Sequence, residues 1–466
     1  MKFTKVILLA VSVCLLSGCY DNSYRGFVDI VEDQSKHLAG THPIWVLVGM
    51  PSIPKAEAWS QSKSVPEQEK NGIGAVETID SFSETPFYVY AFNQNENTDM
   101  RVMSNGEDGV DHCLMDAMSV DYSDIEPSED DVMHLGGQKA YFSRMHSAYA
   151  TWVPPGQQSP KTLYWPTGSS QGNCYNFFAY FIDNLKPKKI ERNRNEIFLY
   201  LEITGGEDLM SSVAMPDLQE LFKDAEGNPK LWQQLENFRD IYCYSYKSVA
   251  DRSLYPKFVF NHHLVRLDFH VIPGNTTDRG YVNTITIDTV AVRSRYAAKF
   301  KVATATKNID KIRQTSDLGV EFDNSRWKWM YLLDEAKNMA TCTFTTDSDD
   351  NVADKDKAVR FGRSVIVAPT YEDKLDYEIW VRMTETRTYL DGTRPTTRSI
   401  YENSFSLRNT KSKCFEPGNL YNIYFRISGQ ESIDASTDLV QWIPGGNDEY
   451  DNEQRPGTPA PITDEN

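Results

Sequence analysis

The sequence contains few residues arranged for catalysis or for holding a metal ion. It lacks the GxSxG, HExxH and GxxxxGK[ST] patterns of serine hydrolases, zinc proteases and nucleotide-binding loops. Residues 347–351 begin like a calcium loop, but Val352 stands where that loop requires glycine and Ala358 where it requires the closing glutamate. A solvated acidic turn is the better interpretation, so the sequence predicts no metal ion and no cofactor.

The histidines and adjacent carboxylates do not form a reactive set either. His262 and His263 are neighbours in sequence and would point to opposite faces of a strand. His262 and His270 would share a face but lie about 26 Å apart at about 3.3 Å per residue, which is too far for one metal ion. Glu207 and Asp208 are adjacent, so we expect them to be solvent-facing or in a turn. These patterns favour a protein that is not an enzyme.

The N-terminus contains one cysteine with a predictable chemistry. Lys2 and Lys5 precede an apolar run over residues 6–16, which is about half as long as a membrane-spanning helix. Residues 1–19 are therefore predicted to be a signal peptide that ends in Leu-Ser-Gly-Cys. That ending resembles the bacterial lipoprotein box, in which Cys19 becomes the acylated N-terminus of the mature protein. An ordinary secreted protein with cysteine at the cleavage site is the alternative.

Composition bounds the fold class and the partners. A chain of 466 residues predicts two to three domains, and 25 Tyr, 22 Phe and 9 Trp favour strands over helices. The net charge of −18 would repel nucleic acid and anionic lipid. Five cysteines lie beyond the predicted leader without any CxxC pair, so we expect mainly buried thiols and at most one isolated disulfide: Cys113, Cys174, Cys243, Cys342 and Cys414.

Apolar and alternating runs place strands along most of the chain. Strands are predicted at 44–48, 87–92, within 140–153, and at 163–166, 175–181, 197–203, 258–272, 284–287, 300–302, 327–333, 341–345, 365–368, 375–383, 399–407, 420–427 and 439–443. Residues 216–242 instead have helical spacing and predict a helical hairpin inserted into the first domain. The division is therefore a tether at 20–40, β domains at 41–305 and 306–446, and a disordered acidic tail at 447–466.

Several short motifs follow the lipoprotein box at Cys19. They are Gly72-Ile73-Gly74, Phe87-Tyr88-Val89-Tyr90-Ala91, Tyr164-Trp165-Pro166, Tyr175-Asn176-Phe177-Phe178-Ala179-Tyr180, Asp208-Leu209-Met210, Phe260-Asn261-His262-His263-Leu264-Val265-Arg266-Leu267 and Pro417-Gly418-Asn419-Leu420-Tyr421, closing on Trp442. No single motif is specific, but their order over about residues 70 to 445 resembles that of the fimbrillin-like proteins of Bacteroides-type bacteria, the subunits of type V surface pili.

The resemblance implies a fold and a mode of assembly. It implies two tandem β-sandwich domains of transthyretin-like fold, carried to the outer membrane and the cell surface by the lipid on Cys19. A protease would then cut after a basic residue and remove the N-terminal strand, and a strand from another pilus subunit would fill the groove. The candidate for the removed strand is Ile44, Trp45, Val46, Leu47 and Val48.

The same resemblance gives candidate cleavage and donor positions. The cut would follow Lys55, Lys63 or Lys70, with Lys70 preferred because it precedes the Gly72 motif. The donor strand would be Leu439, Val440, Gln441, Trp442 and Ile443. If nothing is cut, the chain would instead be a membrane-retained anchor or a capping subunit. A host or bacterial surface ligand is an additional expected partner.

A surface glycan-binding lipoprotein is the alternative from another class. It would share the lipoprotein box, the acidity and the β-sandwiches, but it would present exposed aromatic rings for stacking on sugars. Trp59, Trp152 and Trp327 are the candidates. An enzyme ranks third, because the sequence shows neither paired carboxylates nor a nucleophile with its base.

Overall fold

The chain forms 25 β-strands within the residues that the computed structural model describes. The described residues are 44, 46–49, 76–78, 86–94, 98–101, 112–115, 137–142, 150–152, 163–165, 173–183, 185–214, 244–246, 249, 255–273, 280–304, 318–346, 358–371, 376–409, 414–429, 432–441 and 443–446. The strands are β1 (Leu47–Gly49), β2 (Val76–Thr78), β3 (Phe87–Asn93), β4 (Cys113–Met115), β5 (Gln138–Phe142), β6 (Ala150–Trp152), β7 (Tyr175–Phe181), β8 (Lys189–Arg192), β9 (Glu196–Glu202), β10 (Met210–Ala214), β11 (Lys257–Val259), β12 (Asn261–His262), β13 (Val265–Pro273), β14 (Tyr281–Arg295), β15 (Ala297–Thr304), β16 (Gly319–Phe322), β17 (Trp327–Tyr331), β18 (Cys342–Thr346), β19 (Val359–Arg360), β20 (Val365–Val367), β21 (Tyr377–Tyr389), β22 (Thr397–Leu407), β23 (Asn419–Gly429), β24 (Ser432–Gln441) and β25 (Ile443–Gly446).

The predicted all-β class is confirmed. A seven-stranded sheet has the order β12-β10-β7-β3-β5-β6 with β4 beside β3, and a four-stranded sheet has the order β16-β15-β9-β8. Two five-stranded sheets follow, β19-β13-β23-β24 with β20 beside β13, and β17-β14-β21-β22 with β18 beside β14. The short parallel pairs β1-β11 and β2-β25 complete the pairing.

Several predictions fall outside the described residues. They are the leader at 1–19, the tether at 20–40, the helical hairpin at 216–242 and the tail at 447–466. Within the described part of the chain, every helix is too short or too polar to cross a membrane.

The seven-stranded sheet is buried on both faces, which explains why its strands are continuously apolar. In β3, Phe87 and Val89 point into one hydrophobic cluster, whereas Tyr88 and Tyr90 point into the other. The same alternation holds in β7. We call these clusters the first core, which extends through the four-stranded sheet and both five-stranded sheets, and the second core, which lies on the opposite face of the seven-stranded sheet.

The strand predicted over residues 258–272 is wrong as a single element. The structure divides it into β11, β12 and β13, because β12 pairs with β10 while β13 pairs with β23 of a different sheet. The chain must therefore change sheets near Leu264. Within β13 the predicted alternation is confirmed: Val265 and Leu267 face the first core, and between them Arg266 lies beside Asp268 at 3.4 Å.

Strand pairing crosses the position at which the two predicted domains divide. β13 pairs in parallel with β23 over eight residues, and β14 pairs with β21 over twelve. β15 in turn pairs with β9 and β16. The division near residue 306 stays a prediction, and these ladders tie strands that precede it to strands that follow it.

Among the described cysteines, one is bridged and three are thiols. Cys174 is disulfide-bonded, whereas Cys113, Cys342 and Cys414 are reduced. Burial raises the pKa of the Cys342 thiol. Cys113 is buried, whereas Cys342 and Cys414 are half-buried, so among these three the expectation of buried thiols is met by Cys113 alone.

Candidate functional site

The N-terminal strand β1 is held by a short ladder. Among the described strands it pairs with β11 alone, in parallel, through Leu47 opposite Lys257, Val48 opposite Phe258 and Gly49 opposite Val259. Three residues of parallel pairing form a weak ladder, because an isolated two-stranded sheet is at best marginally stable in water. Side-chain packing must therefore supply most of the attachment of this segment.

Ile44 and Val46 supply that packing. Both side chains are buried in the second core, with Val46 wholly inaccessible to solvent. The backbone N–H of Ile44 also donates to the carbonyl oxygen of Leu163 at 2.7 Å. Burial of two such aliphatic side chains contributes about 3–6 kcal/mol in total.

The surface beneath the segment is aromatic. Phe258 and Phe260 lie 6.2 Å apart, and Phe260 meets the edge of Phe87 at 5.6 Å. Trp165 packs against Phe177 at 5.9 Å, and all of these rings are buried with Ile44 and Val46 in the second core. Loss of the N-terminal segment would open this apolar surface to water and leave the backbone of β11 unpaired, an arrangement that another strand can repair.

The candidate cleavage residues separate this segment from the rest of the chain. Lys55, Lys63 and Lys70 lie outside the described residues, as do Cys19 and Trp45. In sequence, all three lysines fall between β1 and β2. A cut at any of them therefore severs the covalent link to β1 but keeps β2 on the body of the protein.

The candidate donor strand is already paired within its own chain. Leu439, Val440 and Gln441 belong to β24, where they lie opposite Tyr421, Leu420 and Asn419 of β23. Ile443 begins β25 and lies opposite Val76 of β2, and Trp442 lies outside the described residues. These positions would have to leave their own sheet before they could be donated.

Two of the sequence motifs meet where β10 joins β12. His262 Nδ1 lies 2.5 Å from Asp208 Oδ2, and His263 Nε2 lies 2.6 Å from Ser211 Oγ. Burial lowers the pKa of His263 to about 4. The expectation of a solvent-facing or turn role is wrong for Asp208, which is buried against a histidine brought there from 54 residues away.

Glu207 does fulfil the predicted turn role. Its carboxylate accepts hydrogen bonds from the Thr204 backbone N–H at 2.8 Å and from the Thr204 hydroxyl at 2.6 Å. Among the described residues, no group of three His, Cys, Asp or Glu side chains is arranged to hold a metal ion.

Sequence reasoning missed the partners of the N-terminal strand. No local sequence pattern identifies β11 as the partner of β1, because about two hundred residues separate the two strands. The one local signal for this contact was the pair of aromatic residues Phe258 and Phe260. They predicted a strand with an apolar face that another segment must cover. Of the candidate aromatic residues for sugar binding, Trp327 is half-buried, and the side chains of Trp59 and Trp152 are outside the description.

Comparison with known proteins gives matches among solved structures alone. No protein-family model matches the chain, and no curated protein matches it. The chain is similar to a fimbrial protein from Bacteroides vulgatus, with 11% identity, 86% of this chain and 99% of that chain covered, and a TM-score of 0.42.

It is also similar to a candidate cell adhesion protein from Bacteroides uniformis, with 14% identity, coverage of 87% and 99%, and a TM-score of 0.36. A third is the fimbrial anchor protein Mfa2 from Porphyromonas gingivalis, with 10% identity, coverage of 86% and 99%, and a TM-score of 0.27. All three TM-scores are below 0.5.

Proposed function

We propose that the chain is a structural subunit of a cell-surface pilus, exported as an outer-membrane lipoprotein through Cys19. The lipoprotein box, the order of the fimbrillin-like motifs and the all-β fold support this proposal. The strongest support is the attachment of the N-terminal segment: Ile44 and Val46 pack in an aromatic groove, and the described pairing of β1 is a three-residue ladder. A strand held in this way can be replaced by an equivalent strand from another molecule.

Assembly would follow from removal of that strand. A surface protease cuts after Lys70, or after Lys55 or Lys63, and the segment that contains Ile44 and Val46 leaves. The exposed second core and the unpaired backbone of β11 then accept a strand from the next subunit. Repetition of this head-to-tail contact grows a filament.

Retention as the membrane anchor is the second candidate, and the pairing of β24 favours it. A strand donated from Leu439–Ile443 would first have to break its ladder with β23, which runs from Asn419 opposite Gln441 to Gly429 opposite Ser432. An anchor needs no donor strand, because it ends the filament at the membrane. Such a subunit would keep β1 and its acylated Cys19.

The experiment is to determine the N-terminus and the assembly state of the protein recovered from the cell surface. We expect the wild-type chain to begin after Lys70, Lys63 or Lys55 and to run as a ladder in unboiled gels. Replacing all three lysines by glutamine should keep the N-terminal segment and abolish the ladder. Lys328→Gln, an exposed lysine on β17, is the matched control and should change neither result.

The two candidates give different outcomes. A chain that begins at acylated Cys19, and that co-purifies with pilus material as a single terminal copy, supports the anchor. A chain that begins at Cys19 and remains monomeric in cells with pili contradicts both roles.

A further inference from the structure

One end of the β17-β14-β21-β22 sheet contains a cavity of about 180 Å³. Arg295, the last residue of β14, lies directly opposite Trp327, the first residue of β17. Tyr377, the first residue of β21, lines the same cavity, and so do Asn324 and Asp376. Three neighbouring strands therefore begin or end around this space.

Arg295 is a buried cation with neutral partners. The residue is 5% exposed, and its Nη1 donates to Asn324 Oδ1 at 2.7 Å. Its Nη2 donates to the carbonyl oxygen of Pro369. Among the described residues, no carboxylate forms an ion pair with Arg295.

Aromatic rings surround the guanidinium. Its central carbon lies 4.7 Å from the ring centre of Tyr371, 5.7 Å from that of Phe322 and 5.9 Å from that of Trp327. Contacts between a cation and aromatic faces offset part of the loss of water, but they do not neutralise the charge. A buried charge normally has an opposite charge beside it, because removing an ion from water costs several kcal/mol.

The guanidinium retains hydrogen-bonding capacity for a ligand. An arginine carries five N–H donors in a planar fork, and the two hydrogen bonds described here use two of them. That fork suits a carboxylate, which can accept two parallel N–H bonds. Asp376 also lines the cavity, but its carboxylate accepts a hydrogen bond from Arg408 Nε at 2.8 Å. This ion pair reduces the repulsion between Asp376 and a negatively charged ligand.

The rest of the cavity suits a polar ring. Trp327 is half-buried, with its indole N–H donated to the carbonyl oxygen of Asn324 at 2.7 Å, so its ring is fixed in place. A fixed aromatic face can stack on the C–H face of a sugar, and the Asn324 and Asp376 side chains can bond to hydroxyl groups. The volume is sufficient for about one sugar residue.

We propose that this cavity binds a carboxylated sugar residue of the uronic acid type, with Arg295 holding the carboxylate and Trp327 contacting the sugar ring. This site is independent of strand exchange, since it lies at the end of a different sheet from β1. It would give the surface protein a ligand among acidic polysaccharides.

The test is a ligand-observed NMR titration of the full mature chain with D-glucuronic acid, D-glucose and acetate. We expect D-glucuronic acid to bind with a dissociation constant on the order of 1 mM, as befits one small ring in a preformed site. D-glucose lacks the carboxylate and acetate lacks the ring, so each should bind at least about tenfold more weakly. Equal binding of D-glucose, equal binding of acetate or no binding of D-glucuronic acid would overturn the proposal.

Matched variants locate the binding site. Trp327→Leu should weaken D-glucuronic acid binding about tenfold. Trp329→Leu is the matched control, because Trp329 is a half-buried tryptophan of the same strand that does not line the cavity. This variant should bind D-glucuronic acid as the wild type does. Arg295→Gln should abolish D-glucuronic acid binding, provided that circular dichroism shows this variant to be folded. If the variant does not fold, the comparison of Trp327→Leu with Trp329→Leu tests the site. Equal loss in both tryptophan variants would also overturn the proposal.

Discussion

At the scale of residues, the half-buried His263 on the short link between β12 and β13 couples protonation to folding. His263 lies against Ser211 Oγ at 2.6 Å and meets the edge of Phe300 at 5.3 Å. Burial lowers its pKa to about 4, while the nearby Asp208 acts in the opposite direction and His262 lowers the pKa further. The folded protein therefore holds this imidazole neutral.

We predict that the free energy of unfolding falls as the pH drops from about 6.5 to about 4. In that window the unfolded chain binds a proton that the folded chain excludes, so stability is at its full value above the unfolded pKa and is lost below it. A shift from 6.5 to about 4 corresponds to roughly 3 kcal/mol. Urea unfolding at pH 7.5 and pH 4.5 measures the difference.

The matched variant is His263→Gln, which removes the titrating group and keeps a hydrogen-bonding side chain. It should flatten the pH dependence over this window by most of that amount. An unchanged slope in the variant would show that another group is responsible. Asp268, whose pKa is lowered in the folded state, acts at lower pH and should not contribute above pH 4.5.

At the scale of elements, β1 differs from the strands of the seven-stranded sheet in how it is secured. Within the described part of the chain, β3 is paired with β4, β5 and β7, whereas β1 is paired with β11 alone. Its attachment depends on the side chains of Ile44 and Val46 in the second core. Local opening is easiest where few backbone pairs must break.

We predict that the backbone amides of β1 exchange with solvent faster than those of β3, by about tenfold or more. Val46→Ala should increase exchange in β1 by about a further tenfold, because it removes part of a fully buried side chain. Hydrogen exchange with mass spectrometry measures both effects. Val359→Ala, at an exposed position of β19, is the control and should have little effect. Equal protection of β1 and β3 would contradict an easily released strand.

At the scale of the whole molecule, the first core joins strands from both halves of the sequence. It includes Tyr90 of β3, Phe300 of β15 and Phe425 of β23. Tyr180 and Phe300 meet edge to face at 6.3 Å, and Phe269 and Phe425 lie 5.4 Å apart. This continuity ties the stability of one half to that of the other.

We predict that separate chains covering residues 41–305 and 306–446 fail to fold by themselves. The cut would remove the partners of β13 and β14, which are paired with β23 and β21 over eight and twelve residues. Calorimetry and near-ultraviolet circular dichroism of the two fragments, compared with the intact chain, provide the test. Two soluble fragments with cooperative unfolding would instead support a domain boundary near residue 306.

The sequence by itself determined the fold class and most of the individual strands. The apolar run at Tyr175–Phe181 became β7, and the run at Phe87–Phe92 became most of β3, because strands buried on both faces need apolar side chains throughout. The lipoprotein box and the three lysines were likewise visible in the sequence, since both are local signals. They remain predictions outside the described residues.

Only the tertiary structure decided which strands meet and what lies between them. The pairing of β1 with β11, the contact of Asp208 with His262, and the placement of Arg295 beside Trp327 each join residues that are distant in sequence. Strand periodicity specifies which side chains share a face, but it does not specify the neighbouring strand. That choice depends on how all the apolar faces are buried together, so the groove and the cavity could not be predicted from local sequence patterns.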